Sequence, residues 1–570
     1  MGLFGASGVS SQRLCAAGLG AVLLLTALCM FSVVGFGFVN WDDPQQIYRN
    51  PLVLSAPGPD NTLEIFSGTV TSHYQPLTTL LLNLESWASG TDPAAFHAVS
   101  LLLHLLNAAL VYLLIRRLFG SPPVALIVAA FFAIHPLRVE SVAWITEQKG
   151  LLSSMFLLAS FLVYAGGEWS PQRREPRRWL LALALFVLAM LCKATAVVLP
   201  LLLLTYELLL QRSKPDRRLL LRLLPFVLVG LALLVPTLAA HRSGEYMPLE
   251  GLGLWERAVL VVRNVAFYPK MLLVPEGISP VYPVPKDLMS PSSVVVIVLL
   301  AAAAVSLLAS KRLRRDRMLT FGLLFFFLSI APMLQIVPFG RAPMANRFSY
   351  LPSVGLLLAL TALGRYLWRA GRPLRLLIAL LLPALLAGAC LLTTARMDAW
   401  KDSGALWSEV LLEHPELSYA YYNLGHHHLS AGDPQRALDC YTRAIELDPD
   451  VSAYHINRGN LFLNAGEAEG AARDYATAVR LDPSNAAAHF NLGNALRRMG
   501  RLEAAVEVYG NALELDPQMA TAWLNLGSCE AELGNSGRAL ECFETALRLD
   551  PGMDAARRNL ERLRRSRAAP

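Results

Sequence analysis

The sequence predicts an all-α protein in two parts, a polytopic membrane helix bundle of about 11 spans followed by an α-solenoid of short helical repeats. Two observations predict it. Up to about Thr394 the chain is a succession of Leu-rich runs of span length. From Trp400 onward it is polar, Ala-rich and punctuated at a constant step of 34 residues. Composition agrees: 54% hydrophobic residues, 16% charged residues and a mean hydropathy of +0.43 are too apolar for a soluble chain of 570 residues. The net charge of +7 comes from basic clusters between apolar runs, which reads as membrane topology rather than as nucleic-acid binding. The seven cysteines show no metal or disulfide spacing.

The first apolar run, residues 14–39, is longer than a signal-peptide core and lacks a small-residue cleavage site before its polar flank. It is therefore an uncleaved span with residues 1–13 cytoplasmic. Ten more runs follow, at 96–115, 124–134, 151–165, 179–191, 194–210, 219–240, 294–310, 318–337, 348–363 and 374–394. Residues 255–274 contain Arg257, Arg263, Asn264 and Lys270, which suits an interfacial helix better than a span. Basic clusters at Arg116 and Arg117, 173–178, 212–218, 311–317 and 365–375 fall in alternate loops, which are then cytoplasmic. An odd number of spans puts the first long loop and the C-terminal half on the outer side, the periplasm of a bacterium or the ER lumen of a eukaryote.

Where the first span ends, Asp42 and Asp43 stand side by side. A charge at the bilayer centre costs about 3 kcal/mol on insertion scales, so this pair belongs at the membrane edge, in a solvated turn or a polar pocket. Four more polar sets fall on the same side: His73-Tyr74-Gln75-Pro76; His135-Pro136 with Arg138, Glu140, Glu147 and Lys149; Lys193; and Asn346-Arg347 with Tyr350. Each has a plainer role too, as a snorkelling lysine, an interfacial anchor or a turn. Together they suit chemistry on an anionic lipid headgroup. A hydroxyl or amide acceptor needs a base, Asp42 or Asp43 with the lean to Asp43, and a departing lipid phosphate needs cations, Arg347, Lys193, Lys149 and Arg138. Glu140 and His135 would orient the base or the acceptor, and such a monophosphate donor calls for no metal or other cofactor. In the second span His97, Ser100, His104 and Asn107 share one helical face, for packing or for a site.

In the second half Pro415, Pro449, Pro483, Pro517 and Pro551 keep the 34-residue step. So do Gly425, Gly459, Gly493 and Gly527, and the aromatics Trp407, Tyr441, Tyr475, Tyr509 and Phe543. This is the tetratricopeptide pattern, two helices per repeat with small residues stacked on aromatics. The domains are then 1–395 for the membrane part, 396–417 for a connecting half-repeat, 418–553 for four repeats and 554–570 for a basic cap. Asn423, Asn457, Asn491 and Asn525 recur on the first helices, either as consensus residues or as a rail for an acceptor peptide. His426, His427 and His428 are consecutive, about 100° apart on a helix, and cannot easily converge on one metal.

The stretches FVNWDDPQQIYRNPLV, HYQPLTTLLL, FHAVSLLLHLLN, HPLRVESVAWITEQKGLLS, CKATAVVLP and ANRFSYLPSVG, followed by the repeats, resemble the transmembrane and tetratricopeptide-repeat O-mannosyltransferases and their bacterial relatives. The resemblance implies a GT-C type fold, a polyprenyl-phosphate-linked hexose as donor, a protein acceptor and an acidic residue of the first outer loop as base. A lipid or glycan acceptor, or a non-enzymatic membrane scaffold, are the alternatives. The chain departs from the family pattern at Gln75, Gly150, Ala194 and Asn346.

Overall fold

The computed structural model describes residues 9–71, 73–167, 175–242, 253–284, 295, 310, 315–336 and 342–568. Among them there is no strand, only two isolated bridges, Val70 with His73 and Tyr282 with Met344. The chain divides into two compact units, Met1–Glu413 and His414–Pro570.

In the first unit the helices start and stop where the sequence supplies caps. Pro93–Phe119 begins with a proline preceded by Asp92, whose carboxylate accepts from the Ala94 N–H at 3.0 Å. It ends at Gly120 in the left-handed conformation, with Arg116 and Arg117 in the last turn beside the negative end of the helix dipole. The polar stripe of this helix is wholly buried and tied down: the Tyr350 hydroxyl lies 2.7 Å from His104 Nδ1, His104 Nε2 lies 2.9 Å from the Ala133 carbonyl, and Asn107 donates to the Leu151 carbonyl at 2.9 Å. These residues pack the bundle. Helices Arg317–Ile330 and Pro352–Ala370 meet at Gly322 and Gly355, where a Cβ on Gly322 would come within 2.6 Å of the Gly355 carbonyl oxygen.

Among the described residues six helical segments are long and apolar enough to cross a membrane: Cys15–Gly35, Pro93–Phe119, Ile145–Gly166, Ala194–Gln211, Arg217–Ala240 and Arg372–Trp400. Pro122–Ile134 and Pro136–Ala143 form a seventh if taken as one span bent by 59°. The expectation of about eleven also counted shorter runs, which are the helices Pro176–Cys192, Arg317–Ile330 and Pro352–Ala370. The run at 294–310 and parts of the basic clusters at 173–178 and 311–317 lie outside the described residues. Residues 255–274 fall in the amphipathic helix Leu254–Leu273, which buries Val259, Leu260, Asn264, Tyr268, Met271 and Leu272.

In the second unit four helix pairs repeat, from Ser418–Ser430 with Pro434–Leu447 to Ala520–Glu532 with Ser536–Leu549, and Asp554–Ala568 closes the array. The 34-residue step now has a steric cause. A Cβ on Gly425, Gly459, Gly493 or Gly527 would lie 2.6, 2.9, 2.6 or 2.8 Å from the ring of Tyr441, Tyr475, Tyr509 or Phe543. Gly432, Gly466, Gly500 and Gly534, each with φ between 74° and 86°, turn the chain between paired helices. His426 packs on Tyr422 and Tyr441, away from the neighbouring His427 and His428 rings. Among the described residues no group of three or more His, Cys, Asp or Glu side chains is placed to hold a metal ion.

Candidate active site

The loop after the first span is pinned at every step. Phe38, Ile47, Val53, Leu82, Phe96 and Ile145 form a small core beneath it. The chain enters a π-turn, Pro44–Tyr48, immediately after Asp43. Asp43 is 1% exposed and accepts from the Val39 N–H at 3.0 Å and the Thr146 hydroxyl at 2.7 Å. Burial pushes its carboxyl up to about 6 against those two hydrogen bonds, with the charge of Asp42 adding to the rise. Asp42 is half-buried and lies within electrostatic reach of Lys149 and Arg347.

The two aspartates therefore differ in kind. Asp43 holds the loop, and Asp42 is left half-buried within electrostatic reach of the cations. Because the folded carboxyl of Asp43 titrates above its unfolded value, its protonated form is the one folding favours. Its contribution is full below about pH 4 and disappears as pH rises through about 6, a loss of about 3 kcal/mol by proton linkage. Wild-type protein should show that decline in a thermal-melt series from pH 4 to 7, and Asp43→Asn should flatten it; an unchanged slope in the variant would show that Asp43 is not its source.

The cations come from three separate elements. Lys193, in the tight break between Pro176–Cys192 and Ala194–Val198, places Nζ 2.9 Å from Glu147 Oε2. Arg347, in the 3-10 turn Asn346–Ser349, pairs with Glu140 through Nη1 and reaches Glu147 Oε1 at 3.6 Å through Nε. Its guanidinium lies over Trp144 at 4.9 Å and over Trp41 at 5.8 Å. Glu140 also accepts from the Asn346 N–H at 3.1 Å, and the Asn346 side chain bridges Tyr282 and the Ser279 carbonyl, each at 2.9 Å. Lys149 is buried within electrostatic reach of Glu147, Lys193 and Arg347 as well as Asp42.

Lys193, Arg347 and Glu147 line a cleft of about 500 Å³, part of it open, whose wall continues along Ser153, Leu157 and Met333. Gly150 forms its floor: a Cβ there would stand 2.7 Å from Glu147 Oε2 and 3.4 Å from Lys193 Nζ. The departure from the family pattern at Gly150 thus leaves room for the ion pair.

Two residues expected at the site are occupied elsewhere. His135 Nε2 lies 3.0 Å from the Leu272 carbonyl and its Nδ1 accepts from the Leu137 N–H at 3.2 Å, so both ring nitrogens hold the chain at the bend between two helices. Arg138 is fully buried between the rings of Phe132 and Tyr350 and donates to the Ser349 hydroxyl at 3.0 Å. It is not among the cleft-lining residues, and its Nε and Nη1 are buried without a hydrogen-bond partner among the described residues. In the repeats Asn423 donates to the Tyr419 carbonyl, Asn457 to the Ala453 carbonyl and the Tyr422 hydroxyl, and Asn525 to Asn494. Asn491 is half-buried. Asn457 and Asn525 thereby link neighbouring repeats, through Tyr422 and Asn494.

Sequence reasoning missed the tryptophans. Trp41 stacks on Trp144 at 4.6 Å and lies 6.5 Å from Trp400 and 5.6 Å from Trp407. The only signal was that Trp41 and Trp144 each lie in a stretch that carries the family likeness.

Comparison with known proteins bears on this arrangement. Residues 76–239 match the family described as dolichyl-phosphate-mannose-protein mannosyltransferase, and 422–486, 456–509 and 490–554 match the tetratricopeptide repeat. The protein O-mannosyl-transferase TMTC1 of Mus musculus is 32% identical over 219 residues, covering 35% of this chain and 23% of the relative. The chain is similar to the tetratricopeptide-repeat O-mannosyltransferases. Tmtc1 of Drosophila melanogaster is 32% identical over 188 residues, 32% of this chain and 21% of the relative. The matches thus span only about a quarter of the length of these relatives. Among solved structures the TPR protein YrrB, titled as having an unusual peptide-binding site, is 23% identical over 28% of this chain and 82% of its own, with a TM-score of 0.27. The mannosyltransferase match contains Glu140, Glu147, Lys149 and Lys193, whereas Asp42 and Arg347 lie outside it and are brought to it by the fold.

Proposed function

We propose that this chain is an integral membrane glycosyltransferase that moves a hexose, mannose-like, from a polyprenyl-phosphate carrier to a hydroxyl of a protein acceptor. The observation that carries the reading is the cleft that joins Lys193, Glu147 and Arg347 within reach of Asp42. The departing lipid phosphate gathers negative charge as its bond to the anomeric carbon breaks. Lys193 and Arg347, held by buried carboxylates, meet that charge without reorganising. Asp42 takes the proton of the acceptor hydroxyl as its oxygen attacks, and one displacement inverts the anomeric centre. Such a reaction needs no metal, and the fold would be of the GT-C type. Asp42 and the repeats would both face the periplasm or ER lumen, the side on which a secretory protein presents its side chains.

Purified protein incubated with a panel of polyprenyl-phosphate sugars, with and without peptides, tests this directly. Transfer to a peptide hydroxyl is expected; transfer only to lipid or glycan would replace the acceptor class, and no turnover of any donor would overturn the reading.

The repeats would recruit the acceptor, remote from the reacting carbon. Deleting residues 414–570, which leaves the first unit whole, should spare donor binding and raise the acceptor KM about 10-fold or more, because remote contacts raise local concentration without touching the bond that breaks. An unchanged acceptor range and rate would assign the repeats to assembly instead.

A further inference from the structure

The helix Ser403–Glu413 carries the repeat pattern, but the described residues place no repeat-type first helix before it in the chain. One period downstream of Ser403, Trp407 and Val410 stand Ala437, Tyr441 and Ala444, the small-aromatic-small face that every complete repeat buries against its own first helix. All six residues are buried. In the complete repeat Tyr441 lies against Gly425; one period before that glycine stands Leu391, which lies in the apolar helix Arg372–Met397 and is 74% exposed. Something else therefore covers Trp407.

What covers it is the loop that leads to Asp42. Trp407 Nε1 donates to Asn40 Oδ1 at 2.6 Å, and the Trp41 ring lies 5.6 Å from the Trp407 ring. The Asn40 N–H donates to the Ser403 hydroxyl at 2.8 Å, and the Gly37 N–H donates to the Lys401 carbonyl at 2.9 Å. All of these contacts fall within the first unit.

We propose that residues 37–41 take the place of the missing first helix of a repeat, and that Ser403 and Trp407 are positioning residues for Asp42. The proposal rests on the reading of Asp42 as the base. Asp42 follows Trp41 directly, and the loop is gripped by this helix on one side and by Asp43, through the Val39 N–H, on the other. A general base must hold its oxygen within a fraction of an ångström of the acceptor hydroxyl, and a displacement of about 1 Å can cost about 100-fold in rate. Neither Ser403 nor Trp407 lines the cleft, and although Arg347 lies over Trp41 it is also held by Glu140, Glu147 and Trp144, so loosening this grip moves the base more than it moves the donor phosphate's partners.

The test uses full-length protein with a lipid-linked sugar donor and a peptide acceptor. Ser403→Ala and Trp407→Phe, the latter keeping a ring but losing the N–H, should each lower kcat about 10-fold, with donor KM within about twofold of wild type. Ser403→Thr, which keeps the hydroxyl, should restore kcat. Asn40→Ala removes the partner of the Trp407 N–H but keeps the backbone N–H that Ser403 accepts, so adding Trp407→Phe to it should cost little more, whereas adding Ser403→Ala should cost a further loss. Wild-type kcat in Ser403→Ala and Trp407→Phe, or a loss that vanishes once rates are normalised to folded protein, would overturn the positioning role. Asp42→Asn is the control that separates the two claims: if it turns over like wild type the base assignment fails, whereas an inactive Asp42→Asn beside fully active clasp variants sinks this inference alone.

Discussion

Asp42→Asn should reduce sugar transfer at least about 1,000-fold while donor binding stays within about twofold. A positioned base contributes about 100- to 10,000-fold, and Asn keeps the volume and polarity of Asp without its ability to take a proton. Asp42 is the better candidate because its carboxylate is half-buried within reach of Lys149 and Arg347. Asp43 is already engaged by the Val39 N–H and the Thr146 hydroxyl. Asp43→Asn should act differently. An amide has one acceptor oxygen where the carboxyl group has two, so one of those donors loses its partner at a cost of about 1–3 kcal/mol, read as a lower melting temperature near pH 4, where Asp43 carries no charge, with a smaller loss of rate. Single-turnover transfer from a radiolabelled donor separates the two. A fully active Asp42→Asn with an inactive, well-folded Asp43→Asn would return the base to Asp43, where the sequence leaned.

That lean shows what a sequence can and cannot carry. The two-part helical architecture was legible because hydrophobic run length and a 34-residue period are one-dimensional signals of burial. The convergence of Asp42, Lys193 and Arg347 was legible only as a shared membrane side, since polar residues at span ends must gather where water is. Which of two adjacent aspartates turns inward depends on Thr146, about a hundred residues away, and no local pattern records that partnership. The same holds for His135 and Arg138: their types suited a phosphate site, but no local pattern records that the Leu272 carbonyl and the Leu137 N–H engage the His135 ring or that Arg138 lies between the Phe132 and Tyr350 rings, off the cleft. Gly150 is the converse case, a departure from the family pattern whose purpose is visible only once Glu147 and Lys193 are seen to occupy the space of its missing side chain.

Arg347→Gln should lose about 100- to 1,000-fold in transfer and also destabilise the protein, for two separable reasons. The guanidinium is 11% exposed and sits between two carboxylates that are themselves 2% and 3% exposed. Glu147 keeps Lys193 when Arg347 is removed, but Glu140 keeps only the Asn346 N–H. A buried charge stripped of its partner costs about 3–5 kcal/mol, which would appear as a large drop in melting temperature. The double variant Glu140→Gln with Arg347→Gln removes the orphaned charge and should recover most of the stability. It should not recover turnover, because the cation that meets the leaving phosphate is still missing, and one preorganised donor of this kind is worth about 100- to 1,000-fold. Arg347→Lys should fall between: a single ammonium keeps the charge but cannot fork to Glu140 and Glu147 while lying flat over Trp144. Should the double variant regain both stability and rate, Arg347 would be a structural strut and the charge on the leaving phosphate would have to be met by Lys193 and Lys149 alone.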